Sequence, residues 1–192
     1  MSNITKNALV FSFRDLLLKK PLHKITINDI TENCGVNRMT FYYHFQDIYD
    51  LIDWMFTQDA EKIIKNKETF GSWQDAMTAI FKMVLNNKTI ILNIYHSLSH
   101  EQVENYLNNL IFNILKDVVD NNAKKLDVKE EDKKFIADFY KYAFTGVILN
   151  WIKTDMKVTP EVMAGKLMTL IEGNIVSDLI SFREANLSKH DI

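Results

Sequence analysis

Ile25-Thr26-Ile27-Asn28-Asp29-Ile30-Thr31-Glu32-Asn33-Cys34-Gly35-Val36-Asn37-Arg38-Met39-Thr40-Phe41-Tyr42-Tyr43-His44-Phe45 is the stretch on which the reading of the whole chain turns. Thr26 stands three residues before Asp29, the spacing at which a hydroxyl and a carboxylate cap a helix start reciprocally. The short helix that follows ends at Cys34-Gly35, where glycine permits the left-handed conformation of a sharp turn. Val36 plugs that turn, and Asn37 can cap a second helix. Helix, glycine turn and helix at this spacing make a helix-turn-helix plan. In the second helix Phe41 and Phe45 are four apart and face a core, so Met39 and Tyr43 lie opposite, flanked by Thr40 and Tyr42. A short helix that turns Tyr-Tyr-His and an arginine outward suits the major groove of DNA. There Arg38 can read guanine with two hydrogen bonds and Met39 can touch a thymine methyl. Tyr43, His44 and Thr26 would hold phosphates, which sets register without reading sequence. A plain helical hairpin with aromatic filler meets the same periodicity.

Outward from this stretch the pattern stays helical. Only two prolines, Pro21 and Pro160, and five glycines interrupt 192 residues, and no run alternates like a strand. Capping pairs recur at Asp47/Asp50, Ser72/Asp75 and Ser99/Gln102, and Thr159-Pro160-Glu161 puts proline at a first helical position. The expectation is an all-α chain of about nine helices, near 5–19, 27–34, 38–45, 48–66, 73–85, 88–97, 100–121, 130–154 and 160–184, with loops over 67–71 and 122–128. Residues 1–47 would be the helix-turn-helix domain and 48–188 a helical domain for ligand binding and dimerisation.

Composition narrows the function classes. Nearly half of the residues are apolar, enough for a sizeable core. The net charge of −2 is unevenly spread: six basic and three acidic side chains precede residue 47, so the head carries +3 and the rest −5. A basic head on an acidic body fits a protein in which one domain meets phosphate. A single cysteine, Cys34, fits a reducing compartment, and the start of the chain has no signal-peptide core, so a cytoplasmic protein is expected. The apolar stretch 135–152 is broken by Asp138 and Lys141 and reads as a buried helix, not a membrane span.

With these residues in view, the chain resembles the TetR family over about its first fifty-five residues. Ile25 to Thr31, Cys34-Gly35-Val36-Asn37-Arg38 and Thr40-Phe41-Tyr42-Tyr43-His44-Phe45 match that signature in order and spacing. The resemblance implies a homodimer that binds a double-stranded DNA operator, a small-molecule effector cavity in each C-terminal domain, and repression relieved by the effector. It also implies that Thr26, Arg38, Met39, Thr40, Tyr42, Tyr43 and His44 face DNA, with Asn37 counted beside them. Two departures stand out. Gln46 and Ile48 occupy positions where the family often has lysines, whose phosphate grip would pass to Lys6, Lys19, Lys20 or Lys24. Met39 replaces a residue that is commonly small, which should alter base preference.

Further along, 139–146, Asn150-Trp151-Ile152-Lys153 and Val158-Thr159-Pro160-Glu161 resemble a TetR subgroup that includes regulators of dihydroxyacetone-kinase operons. Some of those are activators working with another protein, which is the alternative to repression. Tyr95, His96, Tyr106, Phe112, Tyr140, Phe144 and Trp151 are candidates to line an apolar effector cavity, though plain core packing would use the same residues. His96 and His100 are four apart, but the Ser99 cap breaks the helix between them, so no metal and no cofactor are expected. The expectation for Cys34 is an inert thiol. The sequence holds no nucleophile elbow, phosphate loop, zinc-protease motif or dinucleotide fingerprint, so an enzyme is not expected. The reading from another class is a helical interaction module whose N-terminal hairpin binds protein, which salt dependence would separate from DNA binding.

Overall fold

Leu9, Phe13 and Leu17 recur every fourth residue along the first helix, and all three are buried. That helix is α1 (Ser2–Lys19). A 3-10 turn (Leu22–Lys24) leads into α2 (Ile27–Asn33) and α3 (Arg38–His44), followed by α4 (Ile48–Lys65), α5 (Trp73–Asn86), α6 (Lys88–Ser97) and α7 (His100–Ala123). The chain ends with α8 (Glu130–Lys153), α9 (Pro160–Ile171) and α10 (Asn174–Leu187). This computed structural model describes residues 2–65, 73–171 and 173–188, and all its regular elements are helical. The loop expected over 67–71 and the Ser72 cap lie outside the described residues.

Two compact units divide within α7, Met1–Val103 and Glu104–Ile192. In the first, α1 packs on α2, α3 and α6, and α4 packs on α5. Phe41, Phe45, Leu51, Met55 and Phe81 are among its buried side chains. In the second, α8 and α10 run antiparallel: Asp132 accepts from Asn186 (2.6 Å), Phe135 meets Phe182 (ring centroids 5.9 Å apart), and the Tyr140 hydroxyl donates to Asp178 (2.8 Å).

Helix boundaries read from caps and periodicity agree with these bounds to within a few residues. The one long helix expected from Pro160 is instead two helices. Gly173, at φ +82°, supplies a left-handed residue between α9 and α10, and a glycine inside a helical pattern does not announce such a break. A second reversal also went unread. After α8, the Asp155 N–H donates to the Ile152 carbonyl (3.0 Å) and the Met156 N–H to the Trp151 carbonyl (2.8 Å), with Asp155 at φ 64° and Met156 at φ 53°. That is a Schellman closure built without glycine. Among the described residues, no helix is long and apolar enough to cross a membrane.

Candidate nucleic-acid interface

α2 opens on the expected capping box. The Thr26 hydroxyl accepts from the Asp29 N–H (3.2 Å) and donates to Asp29 Oδ2 (2.7 Å), which also accepts from the Thr26 N–H (2.7 Å). Lys20 Nζ lies 3.0 Å from the same oxygen. The hydroxyl bond, then the backbone bond, then the Lys20 ammonium hold the Asp29 carboxyl at a pKa of about 2. A phosphate approaching Thr26 would therefore have to displace Asp29 from the only hydroxyl proton.

The turn closes as a Schellman motif. Gly35 takes φ +72°, its N–H donates to the Glu32 carbonyl (3.2 Å), and the Val36 N–H donates to the Thr31 carbonyl (3.0 Å). Cys34 is half-buried beside the Ile30 carbonyl (3.2 Å), and burial pushes its thiol pKa up, which keeps it in the unreactive form. Asn37 then caps α3 by accepting from the Thr40 N–H (2.8 Å) and the Thr40 hydroxyl (3.0 Å).

Phe41 (0% exposed) and Phe45 (2%) anchor α3 and stack near each other, with ring centroids 5.8 Å apart. Phe45 also meets Trp54 of α4 (5.9 Å). The opposite face is open: Met39 is 77% and Tyr43 82% exposed, with Arg38 and Tyr42 beside them. Thr40 and His44 are half-buried, and His44 lies edge-on to Tyr43 (4.9 Å). Of the eight sequence candidates, Thr26 and Asn37 cap the two helix starts, Arg38, Met39, Tyr42 and Tyr43 lie on the open side of α3, and Thr40 and His44 stand at its half-buried margin. A contact that sequence reading missed joins two of them. Arg38 Nη2 donates to the Tyr42 hydroxyl (3.0 Å), with the guanidinium 5.5 Å from the ring centroid. Their i, i+4 spacing was the available signal.

The cations proposed as substitute phosphate contacts are mostly engaged. Lys6 lies over the Phe45 and Trp54 rings (5.3 and 5.4 Å), Lys19 pairs with Asp15 (2.6 Å) and Lys20 with Asp29, while Lys24 is exposed. At the missing-lysine positions the chain instead caps α4. Asp47 accepts from the Tyr49 and Asp50 N–H groups (2.8 and 2.9 Å), and Asp50 accepts from the Gln46 N–H (2.9 Å).

The effector-cavity candidates divide between the two units. Tyr95 and His96 end α6 in the first; Tyr106, Phe112, Tyr140, Phe144 and Trp151 belong to the second. Tyr140, Phe144 and Trp151 are buried. The polar atoms of two of them are tied to their own fold. Trp151 Nε1 donates to the Val158 carbonyl (2.8 Å), and burial together with the Asp178 bond pushes the Tyr140 phenol up to about 12. His96 and His100 sit on different helices, because the Ser99–Gln102 box starts α7 between them.

Comparison with known proteins agrees with this geometry. Residues 14–54 match the family described as bacterial regulatory proteins, tetR family, and residues 71–173 match a transcriptional regulator C-terminal region. The HTH-type dhaKLM operon transcriptional activator DhaS of Lactococcus lactis subsp. lactis (strain IL1403) is 26% identical over 140 residues, covering 72% of this chain and 74% of the relative. Among solved structures, a dihydroxyacetone kinase operon activator DhaS has a TM-score of 0.66 at 21% identity, covering 94% of this chain and 98% of that one. A TetR transcriptional regulator from Streptococcus agalactiae 2603V has a TM-score of 0.60 at 20% identity, covering 89% and 95%. NalD, the secondary repressor of the MexAB-OprM multidrug efflux pump in Pseudomonas aeruginosa, has a TM-score of 0.55 at 16% identity, covering 88% and 95%. The two family matches together span the helix-turn-helix and most of the helical body, and the chain belongs to the TetR family of DNA-binding transcriptional regulators.

Proposed function

We propose that this regulator is an effector-responsive repressor that binds a palindromic operator as a homodimer in the cytoplasm, acting by binding and not by catalysis. Residues 1–47 form its DNA-binding head and 48–188 its effector-binding and dimerisation part. The observation that carries the reading is the outer face of α3. Phe41 and Phe45 seat the helix while Arg38, Met39, Tyr42 and Tyr43 are left to solvent. In the major groove Arg38 reads guanine, Met39 meets a thymine methyl, and Tyr43 and His44 hold phosphates. Dimerisation is supported by an apolar stripe on α8, Phe135, Phe139 and Tyr142, at helical spacing and exposed in the subunit, with Val147 exposed further along the helix. Ala143 and Gly146 on the same side allow close helix approach. Val176, Ile180 and Leu187 expose a matching stripe on α10. Leu167 of α9 and Ile175 of α10 are buried within the subunit and take no part in these stripes.

Selection of bound duplexes from a random pool, followed by salt titration, tests the reading. Enrichment of an inverted repeat, with affinity falling steeply as salt rises, is the expected result. A chain that enriches no sequence and binds without salt dependence is an interaction module instead. Activation with a partner protein is the second reading, favoured by the sequence relative that is itself named an operon activator. In vitro transcription from an enriched site separates the two by the sign of the effect. Effector control is checked by whether a bound metabolite changes operator affinity, since linkage makes that coupling reciprocal.

A further inference from the structure

Asn93, in the middle of α6, makes three hydrogen bonds to backbone more than seventy residues earlier. Its Nδ2 donates to the Leu17 carbonyl (2.7 Å) and the Lys20 carbonyl (2.9 Å), and its Oδ1 accepts from the Leu22 N–H (2.9 Å). These are the carbonyls that a helix end leaves without a partner, and the N–H that opens the 3-10 turn. One side-chain amide, with two donors and one acceptor in use, closes the C-terminus of α1. A second tie lies one turn earlier. Arg14 Nη1 donates to Asn87 Oδ1 (3.1 Å) at the α5–α6 junction, and Arg14 Nη2 pairs with Asp59 of α4. From α1 the connection continues into the DNA-reading helices. The buried Ser12 hydroxyl donates to the Ile30 carbonyl (2.7 Å), and Asn33 Nδ2 donates to the Ser12 hydroxyl (3.1 Å), so α2 is bonded to the same helix.

We propose that Asn93 is a positioning residue for DNA reading: it fastens the helix-turn-helix head to α6, so that the orientation in which α3 is presented follows α6 directly as well as through α4. The proposal rests on the two-fold, DNA-binding reading above. A polar tie of this kind is directional, unlike the apolar packing around it. Its loss leaves two carbonyls and one N–H to water and lets the head swing about the 65-to-48 stretch of α4 and the remaining Arg14 contacts. Asn93 belongs to α6 and spends its amide on the end of α1 and the 3-10 turn, not on the exposed side of α3. Its removal should therefore change how two heads are spaced, not which bases each head reads.

The test uses the full chain and inverted-repeat duplexes enriched by the wild type, remade with half-site spacing altered by one and two base pairs. Each added pair rotates one half-site against the other, so a firmly held head discriminates between spacings. The wild type is expected to lose at least about tenfold in affinity per added pair. Asn93→Ala should flatten that profile to within about threefold, with half-site base preference unchanged. Faster amide exchange at Leu22 should accompany the flattening. Asn93→Asp keeps an acceptor for the Leu22 N–H but sets a carboxylate oxygen against the Leu17 and Lys20 carbonyls, so it should flatten the profile at least as much as Asn93→Ala. Circular dichroism and thermal melting show whether each variant folds. A folded Asn93→Ala that keeps the wild-type spacing profile, or loses affinity by one factor at every spacing, overturns the proposal. A wild type that enriches no duplex overturns the DNA-binding reading itself, which is a separate outcome.

Discussion

Arg38 and Tyr42 show how much a single side chain's placement matters. An arginine on an exposed helix samples many rotamers, and ordering it on a base costs side-chain entropy. Here the Tyr42 hydroxyl and ring already hold the guanidinium. Arg38→Ala is expected to weaken operator binding by about 1–3 kcal/mol and to relax preference at one base position. Tyr43→Ala, by contrast, should weaken binding nearly uniformly across sequences, as the loss of a phosphate contact does. Gel-shift titration against a panel of single-base variants reads both; two variants that bind like the wild type would remove α3 from the interface. Asp29 offers a check by pH. Its folded pKa, about 2, lies below the ordinary 3.8, so its contribution to the α2 cap is present above pH 4 and is lost as pH falls through about 2. A carboxyl carbon NMR titration of Asp29 with a midpoint near 4 would contradict the capping geometry.

Among the elements, the α2–α3 turn carries the tightest requirement. Gly35 is left-handed, and a Cβ added there would meet no atom within 4 Å. The cost of Gly35→Ala is thus backbone strain alone, about 1–2 kcal/mol. Gly35→Asn should lose less, because asparagine tolerates that region. Chemical denaturation of the two variants checks the order, and equal stability of Gly35→Ala and wild type would refute it. The turn also governs function, since it sets the angle at which α3 leaves α2. The break at Gly173 acts on another element: it separates α9 from α10, whose Asp178 and Asn186 bond Tyr140 and Asp132 of α8.

For the molecule as a whole, the exposed aromatic stripe on α8 is the feature least compatible with a lone subunit. Phe135 and Phe139 are each 61% exposed. Aromatic rings of this size dominate the energetics of helical interfaces when covered. Phe139→Glu combined with Tyr142→Glu should yield a monomer by light scattering at micromolar concentration. The same change should reduce affinity for a two-half-site operator far more than for one half-site, because two linked heads gain effective concentration. A double variant that remains dimeric would move the interface elsewhere.

The head was legible in the sequence because its signals are local. A capping box spans three residues, a Schellman glycine acts within its own turn, and the Phe41–Phe45 and Arg38–Tyr42 pairs are each four apart. Helical periodicity encodes such contacts directly, since one face returns every three to four residues. Caps likewise placed the starts of α2, α3, α4, α7 and α9. The tertiary structure alone decided what joins distant segments. Nothing near Asn93 signals that its amide closes a helix end 71–76 residues earlier, and nothing near Asp178 signals a tyrosine 38 residues away. Nor did spacing tell which of the C-terminal aromatics would be buried within the subunit and which left on its surface, where Tyr140, Phe144 and Trp151 part from Phe135, Phe139 and Tyr142. A polar side chain reads the same in sequence whether it meets water or an orphaned carbonyl, and only the packing of whole helices brings the two together.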